Sequence, residues 1–224
     1  MKVGTDALLL GAWSSVPATG DCLDIGCGSG ILSLMLAQRT GAMQLIDAVE
    51  LDSAAAGQAR QNVLKSPWPS RIRVIERDIL TYPGSADHLA ARGYQQILSN
   101  PPYFTAALTN PDRQKQLARH NDQLPFAGLL QTAATLLAAQ GRFSLILPTE
   151  EADRLLALAL CTDWYLLRVQ QVRSQPDKAP SRTLLELGRY SSATVHLPEL
   201  LIRDQQGQYS PAYRQLLADF YLNF

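Results

Sequence analysis

The fold of this chain is set by the stretch Cys22-Leu23-Asp24-Ile25-Gly26-Cys27-Gly28-Ser29-Gly30. Its first four residues form a mostly apolar run typical of a buried strand, and a helical pattern, 31–38, follows the last glycine. A strand, a glycine-rich turn and a helix in this order indicate an open α/β sheet, which binds ligands at the carboxyl ends of its strands. The glycines allow the backbone to approach such a ligand closely.

Strand-like and helical patterns alternate up to about residue 160, which is typical of a parallel sheet covered by helices. We predict further strands over 44–49, 72–75, 96–98 and 142–147, and helices over 53–64 (capped by Asp52 or Ser53), over 124–138 and after Thr149 as N-cap. Two strand-like runs, 165–172 and 182–188, enclose a polar loop, and the apolar spacing from Pro211 to Phe224 predicts a tail helix docked on the core. We therefore expect an α/β, Rossmann-like, doubly wound and mostly parallel sheet with a C-terminal antiparallel hairpin.

The composition fits one globular domain, because 46% of the 224 residues are hydrophobic and 18% are charged. We expect a lead-in segment (1–20), a catalytic core (21–190) and a C-terminal tail that packs on the core (191–224). The formal net charge is zero, so any site for a polyanion has to be a local basic patch.

Cysteine use and hydropathy predict the cellular setting. The three cysteines, Cys22, Cys27 and Cys161, form no CxxC pair, which favours a reducing compartment over a disulfide scaffold or a zinc site. The apolar run from Leu8 to Trp13 is too short to span a membrane and lacks a signal-peptide pattern. We expect a soluble, cytoplasmic monomer without a metal ion.

Acidic residues follow the predicted strands and indicate the ligand. The glycine spacing is GxGxG rather than the GxGxxG of dinucleotide-binding proteins, and Asp24 directly before it favours a ligand with an ammonium group over a pyrophosphate. Glu50 ends the second strand, where an acid can accept both hydroxyls of a ribose, and Asp78 after the third strand can accept from an adenine amine. Ribose, adenine and ammonium without phosphate together describe S-adenosylmethionine.

Each of these residues also has a simpler interpretation when taken alone. The glycines can merely start a helix, Glu50 can be a solvated cap, and Asp78 can be a surface acid. Two other functional classes also stay open: an oxidoreductase that binds a nicotinamide dinucleotide, and a non-catalytic binding module with the same fold. Glycine spacing and Asp24 argue against the first class, and the segment after the fourth strand argues against the second.

That segment is Ser99-Asn100-Pro101-Pro102-Tyr103. Its two prolines forbid both helix and further strand pairing, so the turn is rigid and its carbonyls have no partner within it. The Asn100 side chain and the Pro101 carbonyl can then accept two hydrogen bonds, while Tyr103 offers an aromatic face. This arrangement suits a planar group that carries an amine.

With these motifs in their observed order, the sequence over about residues 1–160 resembles the class I S-adenosylmethionine-dependent methyltransferases that act through an Asn-Pro-Pro-Tyr turn. The resemblance implies that four residues of the turn perform the transfer: Asn100, Pro101, Pro102 and Tyr103. It implies that S-adenosylmethionine is held by Thr5, Asp24, Gly26, Gly28, Gly30, Glu50, Asp78, Ile79 and Asn100.

The segments 2–13, 118–120 and 209–222 are similar to the bacterial tRNA(Val) adenine-N6-methyltransferase family, which acts on adenosine 37 beside the anticodon. In that family, a short stretch rich in aromatic and basic residues precedes the lead-in, whereas the present sequence starts at Met1 with the lead-in itself. Methylation of guanine N2 in ribosomal RNA or of a protein glutamine amide is the alternative. Many guanine-N2 enzymes carry a duplicated or appended domain, which this length does not accommodate. Glutamine-type enzymes carry a sizeable helical domain before the glycine loop, whereas in this sequence the loop motif already begins at Asp24.

Basic residues predict where the RNA is bound. We expect contacts from Arg113, Lys115, Arg119, His120, Arg173, Lys178 and Arg182, with no acid–base role for His120. Such clusters neutralise phosphates and make binding sensitive to salt. The alternative for each cluster is an ordinary solvated charged surface.

Overall fold

The computed structural model describes residues 4–82, 93–101 and 126–221. Its helices are α1 (Thr5–Trp13), α2 (Ile31–Arg39), α3 (Ser53–Leu64), α4 (Phe126–Leu136), α5 (Thr149–Leu160) and α6 (Pro211–Leu216). Its strands are β1 (Cys22–Ile25), β2 (Ile46–Glu50), β3 (Ile72–Glu76), β4 (Tyr94–Ser99), β5 (Leu137–Pro148), β6 (Tyr165–Arg173), β7 (Arg182–Gly188), β8 (Val195–His196) and β9 (Leu200–Leu201).

Within these ranges, nine strands form one sheet in the order β3-β2-β1-β4-β5-β7-β6-β8, and β9 also pairs with β6. Neighbours from β3 to β5 are parallel, whereas β7 is antiparallel to both β5 and β6. The strand order reverses between β1 and β4, which is where open α/β sheets form a ligand-binding crevice. The expected α/β, mostly parallel sheet with a C-terminal antiparallel hairpin is confirmed.

Two apolar layers cover the sheet. Side chains alternate between the faces of a strand, so Cys22 packs with α1 and α2 while Leu23 packs with α4 and α5. On the first face, Leu9 and Leu10 of α1 are fully buried, which explains the apolar run of the lead-in segment. None of the described helices is long and apolar enough to cross a membrane.

A buried carboxylate fastens the lead-in segment to the C-terminal hairpin. Glu186 of β7 accepts hydrogen bonds from Arg142 at 2.7 Å and Arg168 at 3.1 Å, and both the backbone N–H and the hydroxyl of Ser15 donate to it. Burial alone raises the pKa of Glu186, but Arg168, Ser15 and Arg142 outweigh burial and hold its pKa below the usual range. The carboxylate therefore stays charged and stabilises the junction between α1 and the hairpin.

The second strand begins two residues later than predicted. Gln44 does not join the sheet: its side chain accepts from Gly41 N–H at 2.8 Å and donates to Pro17 O at 3.1 Å and Gly20 O at 2.9 Å. The glutamine thus closes the loops that precede β1 and β2. The predicted N-cap of α3 is confirmed for Asp52, which accepts from Ala55 N–H at 2.7 Å.

The helix predicted over 124–138 ends at Leu136, and its last two predicted residues belong to β5. Leu137 pairs with Tyr94 in the sheet. Gly93, with φ of 80°, lies so close that a Cβ there would be 2.6 Å from Ala138 N. This close packing of strands overrides the helical pattern.

Two predictions near the carboxyl end are wrong in detail. The N-cap of α5 is Pro148, and the Thr149 hydroxyl instead donates to Pro180 O at 3.3 Å, where it links α5 to the hairpin loop. The tail helix α6 ends at Leu216, earlier than the aromatic spacing suggested, with Tyr213 and Leu217 buried against the core. Ser210 caps this short helix by accepting from Tyr213 N–H at 3.1 Å.

Candidate active site

Strand register brings the predicted site residues to one edge of the sheet. Ile25 is paired with Val49 of β2 on one side and with Ser99 of β4 on the other. Gly26, Glu50 and Asn100 each follow one member of this row. The glycine loop, the predicted ribose acceptor and the predicted catalytic amide therefore leave the sheet side by side.

The glycine loop takes a backbone shape that depends on its glycines. Gly26, Gly28 and Gly30 have φ values of 70°, 56° and 83°, in the left-handed region that residues with a Cβ rarely adopt. A Cβ at Gly30 would lie 3.4 Å from Ala59 Cβ of α3. At Gly26, by contrast, no heavy atom of the described chain lies within 4 Å of an added Cβ, so this part of the loop is open to a ligand.

Asp24 lies beneath the loop and is fully buried. Its Oδ2 accepts from the Ser33 hydroxyl of α2 at 2.6 Å, while its Oδ1 has no hydrogen-bond partner among the described residues. Burial raises the pKa of this carboxyl to about 7, the Ser33 hydrogen bond opposes that rise, and the charge of Glu50 adds to it. A buried acceptor without a donor is costly, and an ammonium group of a ligand would satisfy it.

Glu50 is already positioned by backbone donors. Its Oε2 accepts from Gly28 N–H at 2.8 Å and its Oε1 from Asp52 N–H at 2.9 Å. Each carboxylate oxygen can accept a second bond, so both oxygens remain available to a diol. The geometry fits the ribose role predicted for Glu50.

The turn after β3 carries the predicted adenine site. Asp78 is half-buried, and its Oδ1 accepts from Leu80 N–H at 2.9 Å, which fixes the carboxylate and leaves Oδ2 for a ligand. Ile79 is buried beside it. Leu51 after Glu50 is 45% exposed, an apolar side chain at the same edge that suits one face of a purine. Sequence reasoning missed Leu51 because one leucine before a helix cap carries no periodic signal.

The predicted catalytic turn (99–103) is described only up to Pro101. The Ser99 hydroxyl donates to Ile25 O at 3.0 Å, which ties the end of β4 to the strand that enters the glycine loop. Asn100 is half-buried and Pro101 is buried. Pro102 and Tyr103 lie outside the described residues, as do Arg113, Lys115, Arg119 and His120.

Thr5 begins α1 and is exposed. Its neighbour Asp6 accepts from Arg182 Nε at 2.8 Å, and Arg182 is paired with Pro148 at the carboxyl end of β5. The start of α1 therefore lies at the same sheet edge as Asn100, near the other end of the site.

The basic residues predicted to bind RNA are paired with acids wherever the structure describes them. Arg182 is paired with Asp6, and Arg173 holds Glu199 with Nε at 2.5 Å and Nη2 at 2.9 Å. Lys178 lies 3.5 Å from Asp177 and is largely exposed. The pair of Lys178 and Asp177 is the most exposed of the three and therefore the one that a phosphate would displace most easily.

No group of three or more His, Cys, Asp or Glu side chains within 4–82, 93–101 and 126–221 is arranged to hold a metal ion.

The chain is similar in sequence to a known protein family and to named bacterial proteins. Residues 2–151 match the methyltransferase small domain family. A protein of Tolumonas auensis named tRNA1(Val) (adenine(37)-N6)-methyltransferase is 47% identical over 222 residues, which are 99% of this chain and 90% of that protein. The chain belongs to the tRNA1(Val) (adenine(37)-N6)-methyltransferase family.

A second member of the tRNA1(Val) (adenine(37)-N6)-methyltransferase family, from Pectobacterium carotovorum, is 44% identical over 222 residues, 99% of this chain and 88% of that protein. The family resemblance expected from the lead-in, the catalytic turn and the tail is thus confirmed.

Solved structures with more distant sequences share the fold of this family member. A predicted O-methyltransferase from Agrobacterium tumefaciens has a TM-score of 0.72 at 19% identity and covers 96% of each chain. The glycopeptide N-methyltransferase MtfA, solved with S-adenosylmethionine, has a TM-score of 0.55 at 12% identity over 78% of this chain and 89% of that chain. The fold is that of class I S-adenosylmethionine-dependent methyltransferases.

Proposed function

We propose that this chain transfers a methyl group from S-adenosylmethionine to the exocyclic N6 of an adenosine in tRNA, namely adenosine 37 beside the anticodon of tRNA(Val). One observation carries the proposal: Asn100 leaves the sheet in the same row as Gly26 and Glu50. The site that would bind the target amine is thereby adjacent to the site that would bind the methyl donor. Four relatives named tRNA1(Val) (adenine(37)-N6)-methyltransferase are 41–47% identical over nearly the whole chain. Their names support adenine as the target base and tRNA as the substrate.

On the donor side, the hydrogen bonds and burial described above support the following contacts with the cofactor. Asp24 Oδ1 would accept from the ammonium, Glu50 from the ribose hydroxyls, and Asp78 Oδ2 from the adenine amine. Gly26, Gly28 and Gly30 give the ligand close access to the backbone, and Leu51 and Ile79 cover the purine. Thr5 at the start of α1 would close the site from the side of the lead-in segment.

On the acceptor side, the chain works by orientation. S-adenosylmethionine, when bound, supplies an electrophilic methyl group. The adenine amine is a poor nucleophile because its lone pair is delocalised into the ring. The Asn100 side-chain carbonyl and the Pro101 carbonyl would each accept one amine hydrogen, which favours a pyramidal nitrogen with its lone pair directed at the methyl group.

The remaining residues of the turn and the basic residues complete the proposal. Pro102 keeps the turn rigid, and Tyr103 stacks on the extruded base and offsets part of its lost stacking. The RNA backbone would be held by Arg173, Lys178 and Arg182 at the described sheet edge and by Arg113, Lys115, Arg119 and His120.

The test is transfer of labelled methyl groups to transcripts of tRNA(Val) with either A37 or G37. We expect label only in the A37 transcript, and nucleoside mass spectrometry should identify N6-methyladenosine. Better labelling of a ribosomal RNA guanine or of a glutamine peptide would overturn the substrate. Binding of S-adenosylmethionine without turnover on any of these would indicate a binding module.

A further inference from the structure

Two loops extend beyond the active-site edge of the sheet at its antiparallel end. The hairpin loop (174–181) joins β6 to β7, and the return loop (203–209) follows β9, which pairs with the end of β6. β7 starts at Arg182 opposite Pro148, the last residue of β5. Both loops thus project on the same side of the sheet as Asn100. The strand β6 lies three strand spacings from β4, which corresponds to about 14 Å between the two strands.

A cleft of about 660 Å³ lies between the two loops. It is lined by residues 175–177 of the hairpin loop and 204–207 of the return loop. This volume is within the range of small-ligand sites and is large enough for a nucleobase with its ribose.

The cleft is held in shape by bonds at its base. Ile202 N–H donates to Arg173 O at 2.9 Å and Arg203 N–H to Ser174 O at 3.1 Å, which joins the two loops. Within the hairpin loop, Arg173 Nη1 donates to Lys178 O at 2.6 Å. Asp204 Oδ1 accepts from the N–H groups of Gln206 and Gln208, which fixes the return loop. A ligand would therefore meet a preorganised surface.

The lining is rich in amides and carries two carboxylates, Asp177 and Asp204. The side chains of Gln175, Gln205 and Gln206 are exposed, and none of them has a hydrogen-bond partner in the described part of the chain. Asp177 lies 3.5 Å from Lys178, and Asp204 Oδ1 accepts from two backbone N–H groups of its own loop. A lining that carries two carboxylates and, among its described residues, no basic side chain disfavours a phosphate and suits the donor and acceptor edge of a base.

We propose that this cleft binds one unpaired base of the anticodon loop other than the target adenosine, and that its glutamines contribute to the choice of tRNA. The inference rests on the proposed function. Single-stranded RNA loops are recognised through base edges that side-chain amides can pair with, and Gln is suited to two hydrogen bonds with one base. A protein partner fits less well, because protein hot spots use buried aromatic and Arg anchors, and the lining offers only Pro176 as an apolar side chain.

The experiment combines the double variant Gln205→Ala/Gln206→Ala with an anticodon stem-loop series, in which each unpaired position except the target is made abasic in turn. Gln131→Ala, an exposed glutamine on α4, is the matched control. For the wild type, we expect KM to rise about tenfold for one abasic position. On the intact stem-loop, the double variant should already show this raised KM. Making the same position abasic should then raise the KM of the double variant no further.

The cofactor affinity, kcat and the salt dependence of KM should stay unchanged in the double variant. The inference would be overturned if the double variant and the abasic position raised KM independently and additively. It would also be overturned if the double variant had the same KM as Gln131→Ala. A reduced salt slope would also overturn it, because that result indicates phosphate contacts. If the wild type methylates neither the stem-loop nor the full tRNA(Val) transcript, the proposed function fails. The same series measured by fluorescence anisotropy then still tests whether the cleft binds a base.

Discussion

The hydroxyl of Tyr82 donates a 2.6 Å hydrogen bond to the buried carboxylate of Asp47. Asp47 lies in β2 three residues before Glu50, and Tyr82 ends the turn that carries Asp78. Arg73 and Tyr94 donate to the same carboxylate. One buried acid thus joins the strand of Glu50, the proposed ribose acceptor, to the turn of Asp78, the proposed adenine acceptor.

Tyr82→Phe should therefore weaken cofactor binding although Tyr82 is buried away from the ligand. We expect the free energy of unfolding to fall by about 1.5–3 kcal/mol, typical of a lost hydrogen bond to a charged group. The variant should also distinguish less well between S-adenosylhomocysteine, the demethylated cofactor, and its analogue with hypoxanthine in place of adenine. The reason is that the turn carrying Asp78 is then less firmly held. Calorimetry on both ligands checks this, with Tyr165→Phe at an exposed tyrosine as control. Unchanged discrimination would limit Tyr82 to a stabilising role.

Asn100→Ala should reduce methyl transfer by roughly 100-fold or more, since it removes an acceptor aimed at the reacting amine. Cofactor affinity should change much less, because the proposed cofactor site consists of Asp24, Glu50 and Asp78. Single-turnover rates and calorimetry measure the two effects separately. Equal losses in both would contradict the assignment of Asn100 to the amine.

Glu50→Ala should lower cofactor affinity at least about tenfold, because a charge-assisted hydrogen bond contributes roughly 1.5–3 kcal/mol. Glu76→Ala is the matched control, since Glu76 is opposite Glu50 in β3 but is bonded to Ser53 and Arg60. If the two variants bind the cofactor equally well, Glu50 is not the ribose acceptor.

Cofactor affinity should rise with pH between about 5.5 and 7, a range in which an α-amino group stays charged. Burial raises the pKa of Asp24 to about 7, so the carboxyl is neutral in acid and becomes an anion as pH rises. Only the anion attracts an ammonium group. Binding measured over this range should be nearly flat for Asp24→Asn, and a rise of equal size in that variant would assign the titration to another group.

Glu186→Gln should destabilise the fold by about 3 kcal/mol at neutral pH, because Arg142 and Arg168 lose their buried counter-charge. The pKa of Glu186 is lowered in the folded state, so its contribution exists above the pKa of the unfolded chain and disappears as pH falls through the folded value. Urea unfolding should therefore separate wild type and variant at pH 7 and bring them together in acid. A constant difference would exclude ionisation as the cause.

The fold and the position of most candidate site residues at one sheet edge were predictable, because their signals are local. The strand before Gly26, the acid at Glu50 and the two prolines after Asn100 each stand at a strand end, and parallel strands bring such ends together. β8 and β9 were missed because two residues are too few to show alternation. The cleft between the loops was missed for another reason: it depends on pairing between Ile202 and Arg173, which are far apart in sequence.

The row that joins Val49, Ile25 and Ser99 also limits how this sequence can vary in length. A residue added between α2 and β2 can be absorbed by the intervening loop. A residue added inside β4 would move Asn100 by one strand step, about 3.3 Å, and turn its side chain to the opposite face. In a library of single-codon insertions selected for activity, insertions should therefore be tolerated in the loop between α2 and β2 and eliminated within β4.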